Sequence, residues 1–510
     1  MQRTLRHHLL FILVAAGSLL PTAAALATPY AGYTLWSPNG GNSSYLLDMD
    51  NAVVHTWIHA RPGGYSAYLL EDGSVLRPAL SNNSSLNGGG AAGIVERRAA
   101  DGTLAWEYWY SSNLVRSHHD IEPLPNGNVL LIAWERKLAA EAVAAGLDHS
   151  IEIWPDHIVE VEPTGATTGN IVWTWRFWDH LIQDHDPTKA NYGIVADHPE
   201  LMDINVGNGM LGGDWTHINA VSYSPELDQI VISSHNLDEF YVIDHSTTTA
   251  EAAGHTGGNA GRGGDILYRW GNPANYRASG PHYFNVVHCS TWIPADCPGA
   301  GNILAFNNRE GTNSSIVAEI VPPHDGTYTY ALTPGAAYGP AAPTWTYSAA
   351  GFYSNHLGGC QRLPNGNTLI AESTSAYLFE VSSAGAVQWS FATSGEIARS
   401  LRYGVGYPGL GPLGIVAAEE APPADLRLAQ NYPNPFNPQT TISYSLPAPA
   451  PVRLCVFAES GREVARLVDG PQAAGEHAVS FNARGLASGI YLYQLTVDGE
   501  PVTKKLMVLK

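Results

Sequence analysis

The chain has 510 residues, enough for two domains, and 46 acidic against 26 basic residues leave a formal charge of −20. A surface that negative repels phosphate backbones and anionic lipids, which argues against nucleic-acid or membrane-surface binding. Only 14% of residues are charged while glycine (52) and tryptophan (14) are plentiful, a composition of short strands and tight turns rather than long solvated helices.

Residues 1–27 read as a secretory signal peptide. Arg3 and Arg6 lead, an apolar run follows from Leu9 to Leu20, and Ala25-Leu26-Ala27 offers an A-x-A cleavage site. The apolar run is too short for a comfortable span, and no later segment approaches ~20 uninterrupted apolar residues. The mature protein is therefore expected to be exported and to lack a membrane span. Export permits disulfides. Cys289 and Cys297 flank a proline-containing loop and can pair; Cys360 is a rival partner for either, and Cys455 reads as a buried small hydrophobe. No C-x-x-C spacing occurs, so a cysteine zinc site is not expected.

Residues 28–403 carry a degenerate repeat. A unit runs from a polar residue or histidine through a P-N-G-N-like turn and two apolar strands to a strand bearing tryptophan. The clearest copy contains His356, Leu363-Pro364-Asn365-Gly366-Asn367, Thr368–Ala371, Tyr377–Val381 and Trp389. Others begin at His119, with Leu124–Asn128, and at His288, with Gly299–Asn302. Asn-Gly supplies the positive φ that a two-residue hairpin turn needs. The closing tryptophans are Trp57, Trp106, Trp173, Trp270, Trp345 and Trp389. Six such units predict an all-β, six-bladed β-propeller, because radial packing buries faces that one blade leaves open. A sandwich with accidental self-similarity is the rival. Stretches such as Leu138–Asp156 and His245–Gly264 take up extra length between strands.

His119, His217, His288 and His356 occupy the same place in successive repeats, so a propeller aims them at its axis. By contrast His149, His157, His180, His185, His198 and His255 sit in polar, insertion-like stretches and are expected to be solvated. After Arg402 the texture changes: residues 404–424 read as a Gly/Ala/Glu/Pro linker. Residues 425–510 read as a small antiparallel β-sandwich, with strands at Thr440–Leu446, Val452–Phe457, Glu476–Asn482 and Gly489–Val497.

Two resemblances add to this reading. Asn431-Tyr432-Pro433-Asn434-Pro435-Phe436-Asn437-Pro438, with Thr441–Tyr444, Gly489-Ile490-Tyr491 and Lys504–Val508, resembles the type A C-terminal sorting domain of type IX secretion. That likeness implies recognition by the secretion machinery, with passage through the periplasm to the cell surface or beyond. A carbohydrate-binding or adhesive module is the rival for this domain. Over Tyr33–Arg402, the segments Asp214-Trp215-Thr216-His217-Ile218-Asn219, Val287-His288-Cys289, Asn307-Asn308-Arg309 and Ser354-Asn355-His356 resemble the bacterial arylsulfotransferases. The resemblance implies sulfuryl transfer from an aryl sulfate to a phenolic acceptor by a ping-pong cycle, with no cofactor and no nucleotide sulfate donor. It assigns His356 as the histidine transiently sulfated and Arg309 as the fork on the sulfuryl oxygens. His217 and His288 become oxygen-holding and acid groups. His119 and Asn219 are supporting candidates that orient the rings. A neutral imidazole suits the nucleophile's part, its pKa lying near ambient pH.

Two other readings compete. Hub histidines can hold a divalent metal for lyase or hydrolase work, with Asp120, Asp214 and Glu310 to orient the rings, although Arg309 argues against a second cation there. A non-catalytic surface propeller is the other, since propellers host many functions.

Overall fold

A computed structural model of the protein describes residues 28–207, 213–324, 327–415 and 425–509. The expected signal peptide and residues 416–424 of the expected linker lie outside them.

Strand is the dominant regular structure, with only short helices. Between residues 32 and 404 the chain forms antiparallel sheets whose neighbouring strands are mostly consecutive in sequence, with one short parallel pair, Leu181–Ile182 beside Met202–Asp203. One eight-stranded sheet has the order Ser400–Gly404, Gly32–Trp36, Gly41–Leu47, Val53–Gly63, Val75–Leu80, Gly93–Arg98, Leu104–Trp109, with Tyr68–Leu69 added against Val75–Leu80. Val53–Gly63 and Val75–Leu80 meet through one residue pair, Gly63 with Ala79. Four four-stranded meanders follow, opening at Val115–Pro123, Ile218–Ser224, Val287–Trp292 and Gly359–Arg362.

The turns form as the sequence dictates. Gly127 and Gly366 take φ of +88° and +87°, a left-handed conformation that glycine adopts without a Cβ penalty. Around them Leu124 N–H reaches Asn128 O at 2.8 Å and Leu363 N–H reaches Asn367 O at 2.8 Å, closing the same turn twice.

Every repeat tryptophan lies on the last strand of its unit and donates its indole N–H onward. Trp57 bonds Ala99 O (3.2 Å), Trp106 bonds Thr168 O (3.1 Å) and Trp173 bonds Thr247 Oγ1 (3.1 Å). Trp270 bonds Pro340 O (2.8 Å), Trp345 bonds Ser383 O (2.8 Å), and Trp389 returns to Met49 O (3.2 Å). The series therefore closes on its own beginning, the propeller arrangement. A clasp completes it: Ser400–Gly404 pairs along Gly32–Trp36. Buried Arg402 then bonds Thr34 Oγ1 at 2.6 Å and Glu380 Oε2 at 3.1 Å.

The inner ends meet at a hub. Asp120 accepts from Tyr68 Oη (3.2 Å), Arg399 Nη1 (2.9 Å) and Val221 N–H (3.2 Å), joining four segments. Asn219 Nδ2 donates to Val287 O at 2.7 Å, and Cys360 N–H lies 3.4 Å from Cys289 Sγ. The four cysteines are free thiols and buried, so the pairing anticipated among Cys289, Cys297 and Cys360 is not made; Cys297 Sγ instead faces Arg362 O at 3.4 Å.

Two of the histidines expected in solvent are interior. His157 shares a hydrogen bond with Tyr110 Oη at 2.8 Å, and His180 is fully buried. The stretch Leu138–Asp156 is also not all loop, since Ala139–Ala145 forms a helix.

The C-terminal domain comprises a three-stranded sheet (Arg427–Leu428, Gln439–Leu446, Gly475–Asn482) and a four-stranded one (Glu463–Gln472, Ala450–Ala458, Gly489–Val497, Glu500–Val508). Their shared core includes Phe436, Ile442, Tyr444, Leu454, Tyr493 and Leu495. Glu463–Gln472 is a strand that alternation did not announce.

Candidate active site

Backbone irregularity aims the hub histidines. On the first strands of three successive sheets the register slips: between Ser117 and Ile121, between Ile218 and Ala220, and between His288 and Thr291. His119 and His217 take φ of +50° and +46°, unusual for a non-glycine residue, and Cys289 takes +51°. Such bulges re-aim side chains that a regular pleat would leave alternating across the sheet.

The rings form a chain. Centroids lie 4.7 Å apart from His119 to His217, 4.8 Å from His217 to His235, and 5.5 Å from His235 to His288. His235 was not foreseen. The signal was present in the hairpin register: Ile218 pairs with Ser234, so the residues just outside them, His217 and His235, must sit side by side, with His235 N–H on His217 O at 3.1 Å. His118 was also overlooked beside His119. Its Nδ1 lies 2.8 Å from His119 Nδ1 and its Nε2 lies 2.6 Å from buried Asp156. Trp134 stacks on the His118 ring with centroids 3.9 Å apart.

A glycine run covers these rings. A Cβ on Gly90, whose φ is +74°, would lie 2.3 Å from His119 Cε1; one on Gly89 would lie 3.1 Å from His217 Cε1. Tyr65 packs edge-on to His119 at 4.6 Å. Beneath the rings a cavity of about 20 Å³, the size of one water, is lined by Tyr65, Asp120, Asn219, His288, Leu357 and Arg399.

Charge is distributed unevenly along the chain of rings. Burial, reinforced by the neighbouring imidazoles, holds His119 and His288 well below the ordinary histidine range, and burial does the same to His118. His235 is brought to about 4 by burial and the proximity of His217. His217 alone moves up: burial opposes its charge, but the Asp214 carboxylate, with Oδ2 2.6 Å from Nδ1, outweighs that. Asp214 is itself fixed by Trp134 Nε1 at 2.9 Å. The cluster therefore presents one imidazole biased towards its cation among neutral ones.

The tautomer of His288 is set. Asn308 Nδ2 donates to Ser354 O (2.8 Å) and Leu357 O (2.5 Å), so its Oδ1 must accept from His288 Nδ1–H at 2.6 Å. Nε2 of His288 then carries the lone pair, which accepts a long hydrogen bond from Leu357 N–H at 3.3 Å.

His356 and Arg309 hold different positions from those the repeat suggested. Both nitrogens of His356 are engaged, Nδ1 by Asn355 Oδ1 and Nε2 by Glu396 Oε1 at 3.1 Å, and its side chain is 44% exposed. Arg309 is exposed, with Nε donating to Asn355 O at 3.2 Å. They still lie near the hub, since Leu357, next to His356, donates its N–H to His288 Nε2 at 3.3 Å and Asn308, next to Arg309, holds His288 Nδ1 at 2.6 Å. Asn219 donates Nδ2–H to Val287 O and accepts from Ser233 Oγ at 2.7 Å, touching backbone beside His288 rather than an imidazole. Of the carboxylates named for a metal, Asp214 orients a hub ring, Asp120 is paired with Arg399, and Glu310 bonds Asn307.

Fold and site define a β-propeller that gathers imidazoles at one mouth of its hub and carries a C-terminal β domain. The chain belongs to the arylsulfotransferase family: Arylsulfotransferase (ASST) matches residues 100–400, more than half of it. Membership carries aryl sulfotransferase activity in general terms. Residues 430–509 match the secretion system C-terminal sorting domain, the type IX tail, which marks the chain for export to the cell surface or extracellular space. No curated protein matches. Among solved structures, a Bacteroides caccae protein of unknown function is 12% identical, with 73% of this chain and 98% of that one covered and a TM-score of 0.39. A streptogramin B lyase is 10% identical over 72% of this chain and 84% of its own, at 0.34. Regucalcin from Agrobacterium tumefaciens is 9% identical over 73% and 96%, at 0.28. Among the described residues no helix is long and apolar enough to cross a membrane.

Proposed function

We propose that this is a six-bladed propeller, the eight-stranded sheet counting as two blades joined at Gly63 and Ala79, that transfers a sulfuryl group from an aryl sulfate to a phenol through a sulfohistidine. The domains are residues 28–403 for the propeller, 404–424 for the linker and 425–510 for the sorting domain. A signal peptide at 1–27 takes the chain to the periplasm before the sorting domain takes it across the outer membrane.

The observation that carries the mechanism is the fixed tautomer of His288 beside the His217–Asp214 pair. It favours His288 over His356 as the sulfated residue, because His288 is buried among the hub imidazoles with only a long 3.3 Å contact from Leu357 N–H on Nε2, whereas the His356 side chain is 44% exposed. His288 Nε2 attacks sulfur; the S–N bond forms as the S–O(aryl) bond breaks, and the departing phenolate takes a proton from the His217 imidazolium. Neutral His217 then removes the proton of an acceptor phenol, whose oxygen attacks sulfur while the S–N bond breaks and its electron pair returns to Nε2. The transferring group is loose, with charge spread over three oxygens as in phosphoryl transfer. Arg309 presents its planar fork of donors to two of those oxygens. His119 holds the third, kept in one orientation by the Asp156–His118 pair behind it.

The test is mass spectrometry of protein incubated with a chromogenic aryl sulfate. An 80 Da gain on the His288 peptide that disappears on adding phenol is expected, with turnover lost in His288→Asn and kept within about tenfold in His356→Ala. An adduct on the His356 peptide would return the role to that residue. No adduct and no turnover of any sulfate ester would leave a binding propeller.

A further inference from the structure

We infer that His180, His255 and Asp265 form a binding site for a divalent cation of the zinc class, separate from the hub. One ligand atom from each lies within 4.8 Å of the others. His180 follows the outermost strand of its sheet, Thr168–Arg176, and its ring stacks on Trp175, whereas the hub rings cluster at the innermost strands.

The protonation pattern of His180 carries the argument. Its Nε2 lies 2.8 Å from Ala252 O, which can only accept, so Nε2 bears the hydrogen. In the neutral ring Nδ1 then carries a lone pair, and that lone pair points at Asp265 Oδ1, 2.9 Å away. Two electron pairs facing each other in a buried place need a proton or a cation between them. A metal-bound imidazole has this outer arrangement, its far N–H anchored on a backbone carbonyl. His255 Nδ1 approaches the same carboxylate oxygen at 2.7 Å, so a second nitrogen converges on that point. Two imidazoles and a carboxylate suit zinc, at about 2.0–2.2 Å from each donor. His255 is 60% exposed on its side chain, which leaves room for the small ring movement the ion requires and for water as fourth ligand.

The surrounding chain gives the site a purpose. Gly254–Gly264 connects two of the ligands with six glycines, and Gly257, Gly258, Gly261 and Gly263 all have positive φ. Glycine loses more freedom on ordering than any other residue, so this loop is costly to hold. It is nonetheless folded tightly: Gly264 N–H bonds Gly254 O at 3.0 Å, and a Cβ on Gly264 would stand 2.6 Å from His180 Nε2. A cation joining its two ends to a buried ring would fasten it.

Metal content and calorimetry on chelator-stripped full-length protein, titrated with zinc chloride, decide the matter. The expected result is saturable binding that is one equivalent lower in His255→Ala and in Asp265→Asn than in the unmodified chain. Binding should be unchanged in the hub variant His217→Ala, and aryl-sulfate turnover unchanged in His255→Ala. His255 is exposed, so its loss does not threaten folding. No saturable binding by the unmodified protein, equal binding by His255→Ala and Asp265→Asn, or loss only in His217→Ala would each overturn the site.

Discussion

Substituting Gly90 with alanine tests the hub from its covering loop. Gly90 has φ of +74°, where an alanine pays about 1–2 kcal/mol for the left-handed conformation. The new Cβ would also stand 2.3 Å from His119 Cε1 and 2.4 Å from both ring nitrogens. Ordinary contact needs about 3.5 Å, so the ring must retreat by roughly 1.2 Å. Its neighbours leave it little room, as Tyr65 packs at 4.6 Å and His217 at 4.7 Å. A displacement of that size at a reacting centre costs about 10²-fold in rate. Gly127→Ala is the control, since Gly127 has φ of +88° with nothing within 4 Å of its Cβ position; it pays for conformation without a clash. Urea unfolding should show Gly127→Ala down by about 1–2 kcal/mol and Gly90→Ala by more. Aryl-sulfate kcat/KM should fall about 10²-fold in Gly90→Ala and stay within twofold in Gly127→Ala. Equal turnover in the two variants would show that His119 has no part in the reaction.

Two further outcomes follow from charge. In Asp214→Asn, His217 loses the carboxylate that holds its pKa up while keeping the burial that pushes it down. If His217 is the acid, the alkaline limb of kcat/KM, where activity is lost as pH rises through that pKa, moves to lower pH, with turnover at pH 8 down about 10²-fold; an unmoved limb refutes the role. Burial holds His157 at about 3, so from pH 6.5 downwards the unfolded chain takes up a proton that the folded one refuses. Stability is therefore lost as pH falls, at about 1.4 kcal/mol per unit, and His157→Gln should gain roughly 2 kcal/mol on the unmodified protein between pH 6.5 and 5. Denaturation curves at the two pH values check this, and parallel shifts would contradict it.

Much of the architecture was legible because the local code repeats. Six tryptophans and the Asn-Gly turns report strand order directly, and the indole bonds explain why that residue recurs: a large ring with one donor both packs and reaches the next segment. Recurrence also located His119, His217 and His288. It did not show where His356 lies, because the last unit, at Gly359–Arg362, has no register slip like that at His288, and the preceding loop carries the ring to the rim. His235 and His118 are visible only through register and bulge geometry, which a repeat pattern does not encode. His157 and His180 looked solvated because their neighbours in sequence are polar, yet one lies on a strand between two others and the other beneath a glycine loop.

The clasp between Ser400–Gly404 and Gly32–Trp36 sets an order of events for export. Strands from opposite ends of the propeller segment must meet before the circle exists, so no chain that stops short of Ser400–Gly404 can finish it. The tail lies beyond the clasp: after Pro408–Leu413, where Tyr407 Oη is bonded to Leu69 O at 2.7 Å, the chain passes to a domain whose first strand begins at Arg427. Among the described residues no strand lies between Gly404 and Arg427, so the closing pair of the circle and the sheets of the sorting domain share no strand.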